Sequence, residues 1–134
     1  MGNKQIRILI ADDDADDLEL IEEAIRNSAP AAELHKLTEG KAVLHFLNEQ
    51  PDDKLPCLII IDYNMPEMNG AQLLEQLKHK PRYKDIPKVM LSTSGAALYK
   101  TECKNKGALD YFVKPNTLKE LDTVAKKMLK YCEV

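Results

Sequence analysis

Five consecutive apolar residues, Cys57-Leu58-Ile59-Ile60-Ile61, run without interruption into Asp62. A strand with one wet face would alternate polar and apolar positions, so a short, evenly apolar run reads as a strand buried on both faces. A sheet covered on both sides is a parallel sheet with helices packed against each face. The rest of the chain supplies the elements such a sheet needs. Ile6-Arg7-Ile8-Leu9-Ile10-Ala11 is a first strand that stops at a block of acids, and Leu18, Ile21, Ala24 and Ile25 recur at helical spacing from Ala15 to Ser28, before Ala29-Pro30. A short strand over Glu33 to Thr38 and a helix over Ala42 to Glu49, with Val43, Leu44, Phe46 and Leu47 inward, come next. The polar, proline-bounded stretch Gln50 to Pro56 leads into the apolar run. The cycle then repeats: a helix over Ala71 to His79, a strand in Val89-Met90-Leu91, a helix with a poor apolar stripe over Ala96 to Lys106, and a strand over Leu109 to Val113. A last helix carries Leu118, Leu121, Ala125, Met128 and Leu129. Strict alternation of five strands and five helices, joined this tightly, predicts a doubly wound α/β fold with a five-stranded parallel sheet and right-handed crossovers.

Composition narrows the functional classes. At 134 residues the chain is expected to be one domain, 1–134, and its hydrophobic content of 44% suffices for one core. A net charge of -3 without a basic stripe argues against direct nucleic-acid binding. The apolar runs fall far short of the roughly 20 residues that cross a bilayer, and no signal-peptide segment opens the chain, so a cytoplasmic protein without membrane contact is expected. Cys57, Cys103 and Cys132 are odd in number and lack Cys-x-x-Cys spacing, which predicts reduced thiols acting as small apolar residues. His35, His45 and His79 have no spacing that would join two of them on a metal.

In a doubly wound sheet the ligand site lies beyond the carboxyl ends of the strands. There the sequence places Asp12, Asp13 and Asp14 after the first strand, Asp62 after the third, Ser92 and Thr93 after the fourth, and Lys114-Pro115 after the fifth. Carboxylates brought this close repel one another unless a cation offsets them, and an all-oxygen site beside a lysine and a hydroxyl suits Mg²⁺ shared with a phosphoryl group. Asp62, ending the central strand, is the candidate nucleophile. Asp14, Asp16 and Asp17 read as acids that favour a helix start. Gly70 and Gly107 read as backbone-permissive turn positions, Met65 and Met68 as loop packing, and Tyr99 and Cys103 as exposed positions on the fourth helix or part of an output interface.

These residues, in this order, resemble a receiver domain of two-component response regulators, with an extent similar to the stand-alone chemotaxis-type regulators. The resemblance rests on Ile8-Leu9-Ile10-Ala11-Asp12-Asp13, on Asp62-Tyr63-Asn64-Met65-Pro66-Glu67-Met68-Asn69-Gly70, on Ser92, on Tyr111 and on Lys114-Pro115. It implies a flavodoxin-like strand order 2-1-3-4-5 and a phosphoryl transfer to Asp62 from a histidine kinase or phosphotransfer protein. It further implies Mg²⁺ held by Asp13, Asp62 and the Asn64 carbonyl, with Asp12 acting largely through water, Lys114 on the phosphoryl oxygens, and Ser92 and Tyr111 as the switch pair. Output would pass through the face of helix four, strand five and helix five to a downstream protein, from a monomer or a phosphorylation-linked dimer. The Lys114-Pro115 peptide would be cis. Such a chain is a switch rather than an enzyme, catalysing at most its own phosphorylation and dephosphorylation. Thr93 and Asn64 depart from the commonest pattern at positions that tune phosphoryl lifetime. The alternatives are a receiver excised from a larger hybrid kinase or regulator, and a phosphorylation-independent binding module. A haloacid-dehalogenase-type phosphatase would need an aspartate where Asn64 stands.

Overall fold

The computed structural model describes residues 5–132. Five parallel strands, β1 (Arg7–Ala11), β2 (Glu33–Leu37), β3 (Leu58–Ile61), β4 (Lys88–Ser92) and β5 (Asp110–Val113), form one sheet in the order β2-β1-β3-β4-β5. Five helices intervene: α1 (Ala15–Ser28), α2 (Gly40–Glu49), α3 (Gly70–Lys78), α4 (Ala97–Asn105) and α5 (Leu118–Leu129). The order 2-1-3-4-5 and the alternation are those expected.

Side chains of successive strand residues point to opposite faces, and this divides the core in two. Ile8, Ile10, Leu58, Ile60, Val89 and Leu91 meet Leu18, Ile21 and Ile25 of α1 and Leu121, Ala125 and Met128 of α5. Leu9, Ile59, Ile61 and Met90 meet Val43 and Leu47 of α2, Leu73, Leu74 and Leu77 of α3, and Cys103 of α4. All four residues of β3 are buried, as its unbroken apolar run requires.

Four local expectations are corrected. Cys57 and Cys132 form a disulfide across a sequence separation of 75, leaving Cys103 as the free thiol among the described residues. Topology creates this pair: Cys57 begins the approach to β3, with its N–H bonded to Arg7 O at 2.8 Å, and α5 returns the chain to that same end of the sheet. Cys103 is fully buried rather than exposed, and Tyr99 is half-buried. The Lys114–Pro115 peptide is trans, the isomer that X–Pro bonds favour by about 0.5–1 kcal/mol. Gly70 has no positive φ, whereas Gly107 does, at 110°. Gly70 is demanded by close packing instead, since a Cβ there would lie 2.4 Å from Asp62 O.

Strand β4 begins one residue earlier than its apolar pattern suggests, because Lys88 is buried and its ammonium donates to Tyr83 O at 2.6 Å. The Gln50 to Pro56 connection contains a 3₁₀ turn, Asp52–Lys54, braced by Arg82. The Arg82 guanidinium donates to Asp52 Oδ1 at 2.6 Å, to Leu47 O at 3.0 Å and to Gln50 O.

Closing a loop as long as that between the bridged cysteines removes chain entropy worth about 4 kcal/mol from the unfolded state. Reduction is therefore expected to lower unfolding free energy by about 2–4 kcal/mol. Urea denaturation with and without a dithiol reductant measures it, and Cys132→Ser must behave as reduced protein and ignore the reductant.

Candidate functional site

Backbone bonds carry the sheet ladder one residue past the strand ends. Asp12 N–H bonds Leu37 O at 3.0 Å, Asp62 N–H bonds Ala11 O at 2.9 Å, and Lys114 N–H bonds Ser92 O at 2.8 Å. The first residue beyond each of β1, β3 and β5 is thus fixed by main chain, whatever its side chain does. All three converge on one cleft. Lys114 Nζ lies 2.6 Å from Asp12 Oδ2, 2.8 Å from Asp17 Oδ2 and 3.4 Å from Asp62 Oδ2.

Asp12 and Asp62 are buried while Asp13 is exposed, and a carboxylate oxygen from each lies within 4.8 Å of the others. Two buried oxygens lack a hydrogen-bond partner among the described residues: Asp62 Oδ1, and Asp12 Oδ2, which is close to Lys114 without hydrogen-bond geometry. A buried carboxylate oxygen left without a donor is costly. Asp62 Oδ1 is such an oxygen, and with the carboxylates of Asp12 and Asp13 beside it the cluster fits a hard cation that prefers oxygen ligands.

Burial pushes the Asp12 carboxyl up to about 6, and the charge of Asp62 adds to this, against the opposing contacts of Lys114 and Asp14 N–H. Burial alone would lower the Lys114 ammonium; Asp12, Asp17 and Asp62 outweigh it and hold its pKa above the usual lysine value. A carboxyl whose pKa is higher in the folded than in the unfolded chain penalises folding once both are ionised. Without divalent cation, Asp12→Asn is therefore expected to gain about 1–3 kcal/mol of stability near pH 8, Lys114 keeping Asp17 and Asp62. The gain should fade as pH falls through about 6 towards 4, where Asp12 is protonated in the folded state. Urea titrations in EDTA across this range measure both its size and its pH window.

Ser92 is fully buried, and its Oγ is reached only weakly, by Ser94 N–H at 3.5 Å. Thr93 is exposed, as is Asn64 in the loop after β3. Tyr111 is turned inward, 8% exposed, and its hydroxyl donates to Ser94 O at 2.6 Å in the β4–α4 loop.

The family model of the response regulator receiver domain matches residues 8–126. The chain belongs to this family. The receiver is 30% identical over 123 residues to the two-component response regulator ORR5 of Oryza sativa subsp. japonica, covering 92% of the chain and 88% of the relative. It is 30% identical over 129 residues to the two-component response regulator ORR1 of Oryza sativa subsp. indica, of which it spans 56%. Among solved structures, the phosphorylated cyanobacterial phytochrome response regulator RcpA matches with a TM-score of 0.85 at 27% identity, over 95% of this chain and 93% of that one. The Mn²⁺-bound form of response regulator Rcp1 matches with a TM-score of 0.82 at 28% identity, over 96% of both chains. The receiver is thus a two-component signalling module with a flavodoxin-like fold, and among its described residues no helix is long and apolar enough to cross a membrane.

Reading the acids after β1 by type alone missed Asp17. Asp14 does cap α1, its side chain accepting from Asp16 N–H and Asp17 N–H. Asp17, besides its place in the first turn, reaches Lys114. Its spacing of four and eight residues from the buried Ile21 and Ile25 puts it on the sheet-facing stripe, and that signal was available.

Proposed function

We propose that this receiver accepts a phosphoryl group on Asp62 from a histidine kinase or a phosphotransfer protein and passes the change to a protein partner. The observation that carries this reading is Lys114 Nζ bridging Asp12, Asp17 and Asp62 while Asp62 Oδ1 has no hydrogen-bond partner among the described residues. Transfer from a phosphohistidine forms a bond from an Asp62 carboxylate oxygen to phosphorus and breaks the nitrogen–phosphorus bond, returning the electron pair and then a proton to the imidazole. Such a reaction demands alignment and charge neutralisation rather than a strong base. Lys114, tethered by Asp12 and Asp17, supplies a fixed positive charge beside the acceptor, and Ser92 offers a hydroxyl that can turn towards a phosphoryl oxygen. Asp13 and Asp62 would hold Mg²⁺ with the Asn64 carbonyl, Asp12 acting largely through water, and bound Mg²⁺ would neutralise charge on the transferring phosphoryl group. Tyr111 would carry the change to the surface made by α4, β5 and α5.

The test is the intact mass of the protein after incubation with acetyl phosphate and Mg²⁺. One added phosphoryl mass is expected, reduced at least about tenfold when EDTA replaces the cation. No adduct under conditions that label a known receiver would sink the reading and leave a phosphorylation-independent binding module.

A further inference from the structure

Tyr63 follows Asp62 directly, and none of the roles above uses it. Its ring stacks on that of Tyr99 in α4, with centroids 4.3 Å apart and planes 24° from parallel. Its hydroxyl donates to Glu102 Oε1 at 2.8 Å, and Glu102 also pairs with Lys106 at 3.4 Å. Tyr99 and Glu102 are three residues apart, hence neighbours on one helix face, so a single side chain grips α4 at two points. Its main chain is equally fixed: Gly70 N–H donates to Tyr63 O at 2.7 Å and closes the loop between β3 and α3.

The helix it grips is weakly anchored otherwise. Cys103 is the only buried residue within α4, Ala96 gives its first turn no side-chain cap, and Leu98 is 75% exposed. A helix with so small a buried stripe derives little stability from packing, so its pose depends on the few contacts it has. Burial and Glu102 push the Tyr63 hydroxyl up to about 12, so it remains a donor throughout the neutral range.

We propose that Tyr63 is a positioning residue that couples the pose of α4 to the state of Asp62, through its stack on Tyr99 and its hydrogen bond to Glu102. This rests on the reading of Asp62 as phosphoryl acceptor. Any shift of Asp62 towards a phosphoryl group and Lys114 moves the adjoining residue, and Tyr63 converts that movement into a choice between keeping and losing its grip on α4. The path is separate from the one through Ser94 and Tyr111, because it leaves from the acceptor's own strand.

The experiment compares wild type, Tyr63→Ala, Tyr63→Phe and Tyr99→Ala with and without acetyl phosphate in Mg²⁺, reading the acyl phosphate by intact mass and amide exchange of residues 97–105 in the same samples. Tyr99→Ala lies away from the carboxylate cleft and serves if Tyr63→Ala folds poorly. Wild type is expected to change α4 exchange on phosphorylation. Both alanine variants should still take up the phosphoryl group but exchange α4 amides at least about tenfold faster, with little further change on phosphorylation. Tyr63→Phe, which keeps the stack, should recover most of the wild-type difference. Phosphoryl uptake with wild-type α4 exchange in both alanine variants overturns the coupling alone. Absence of any adduct on wild type overturns the acceptor reading, and the coupling with it.

Discussion

Asp62→Asn is expected to take up no phosphoryl group from acetyl phosphate under conditions that label the wild type. An amide lacks the anionic oxygen that attacks phosphorus, so the expected loss of acyl phosphate is at least about a hundredfold, read by intact mass at fixed time. The fold should survive, since Asp62 is held in register by its N–H bond to Ala11 O and not by its side chain. Circular dichroism and urea denaturation of the same variant check this. An adduct of full mass on Asp62→Asn would move the acceptor to another group in the cleft and overturn the central assignment.

Gly70→Ala should be the most damaging glycine-to-alanine change among the described residues. The new Cβ would stand 2.4 Å from Asp62 O, 2.8 Å from Met90 Cε and 3.0 Å from Tyr63 Cα. The methionine tip can move, but two of the three obstacles are main chain at the end of the central strand. Replacing glycine by alanine inside a helix ordinarily gains about 1 kcal/mol. Here overpacking against backbone outweighs that gain, with an expected net loss of about 2–3 kcal/mol by urea denaturation. Relief of the clash pushes Asp62 and Tyr63 away from α3, so residual folded protein should also be phosphorylated at least about tenfold more slowly. A variant as stable and as reactive as wild type would show that the loop yields without disturbing the cleft.

Much of this was legible in the sequence because it depends on patterns that local chemistry enforces. The uninterrupted apolar β3 and the helical spacing of Leu18, Ile21 and Ile25 admit few alternatives, and acids placed one residue beyond a strand must gather where the strands end. What escaped depends on which distant segments meet. Cys57 and Cys132 are strangers in the sequence until α5 returns to the start of β3. Lys88 looks like a boundary residue, and only the Tyr83 carbonyl that receives its ammonium explains its burial. Arg82 has no visible partner until Asp52 and the end of α2 fold against it. Tyr99 and Cys103 were hardest, because the weak stripe of α4 leaves its orientation to tertiary contacts that no periodicity encodes.

The disulfide also decides how the molecule would respond to mechanical load. Tension entering after Cys132 in an unbridged chain would be borne first by α5, which would peel from α1 in a gradual unzipping. With Cys132 bonded to Cys57, the same tension bypasses α5 and arrives at the start of β3, clamped between β1 and β4 in the middle of the sheet. Pulled against a point beyond the carboxyl ends of the strands, the oxidised chain must then shear two parallel strand ladders together, so it should resist with a higher, more abrupt force than the reduced chain.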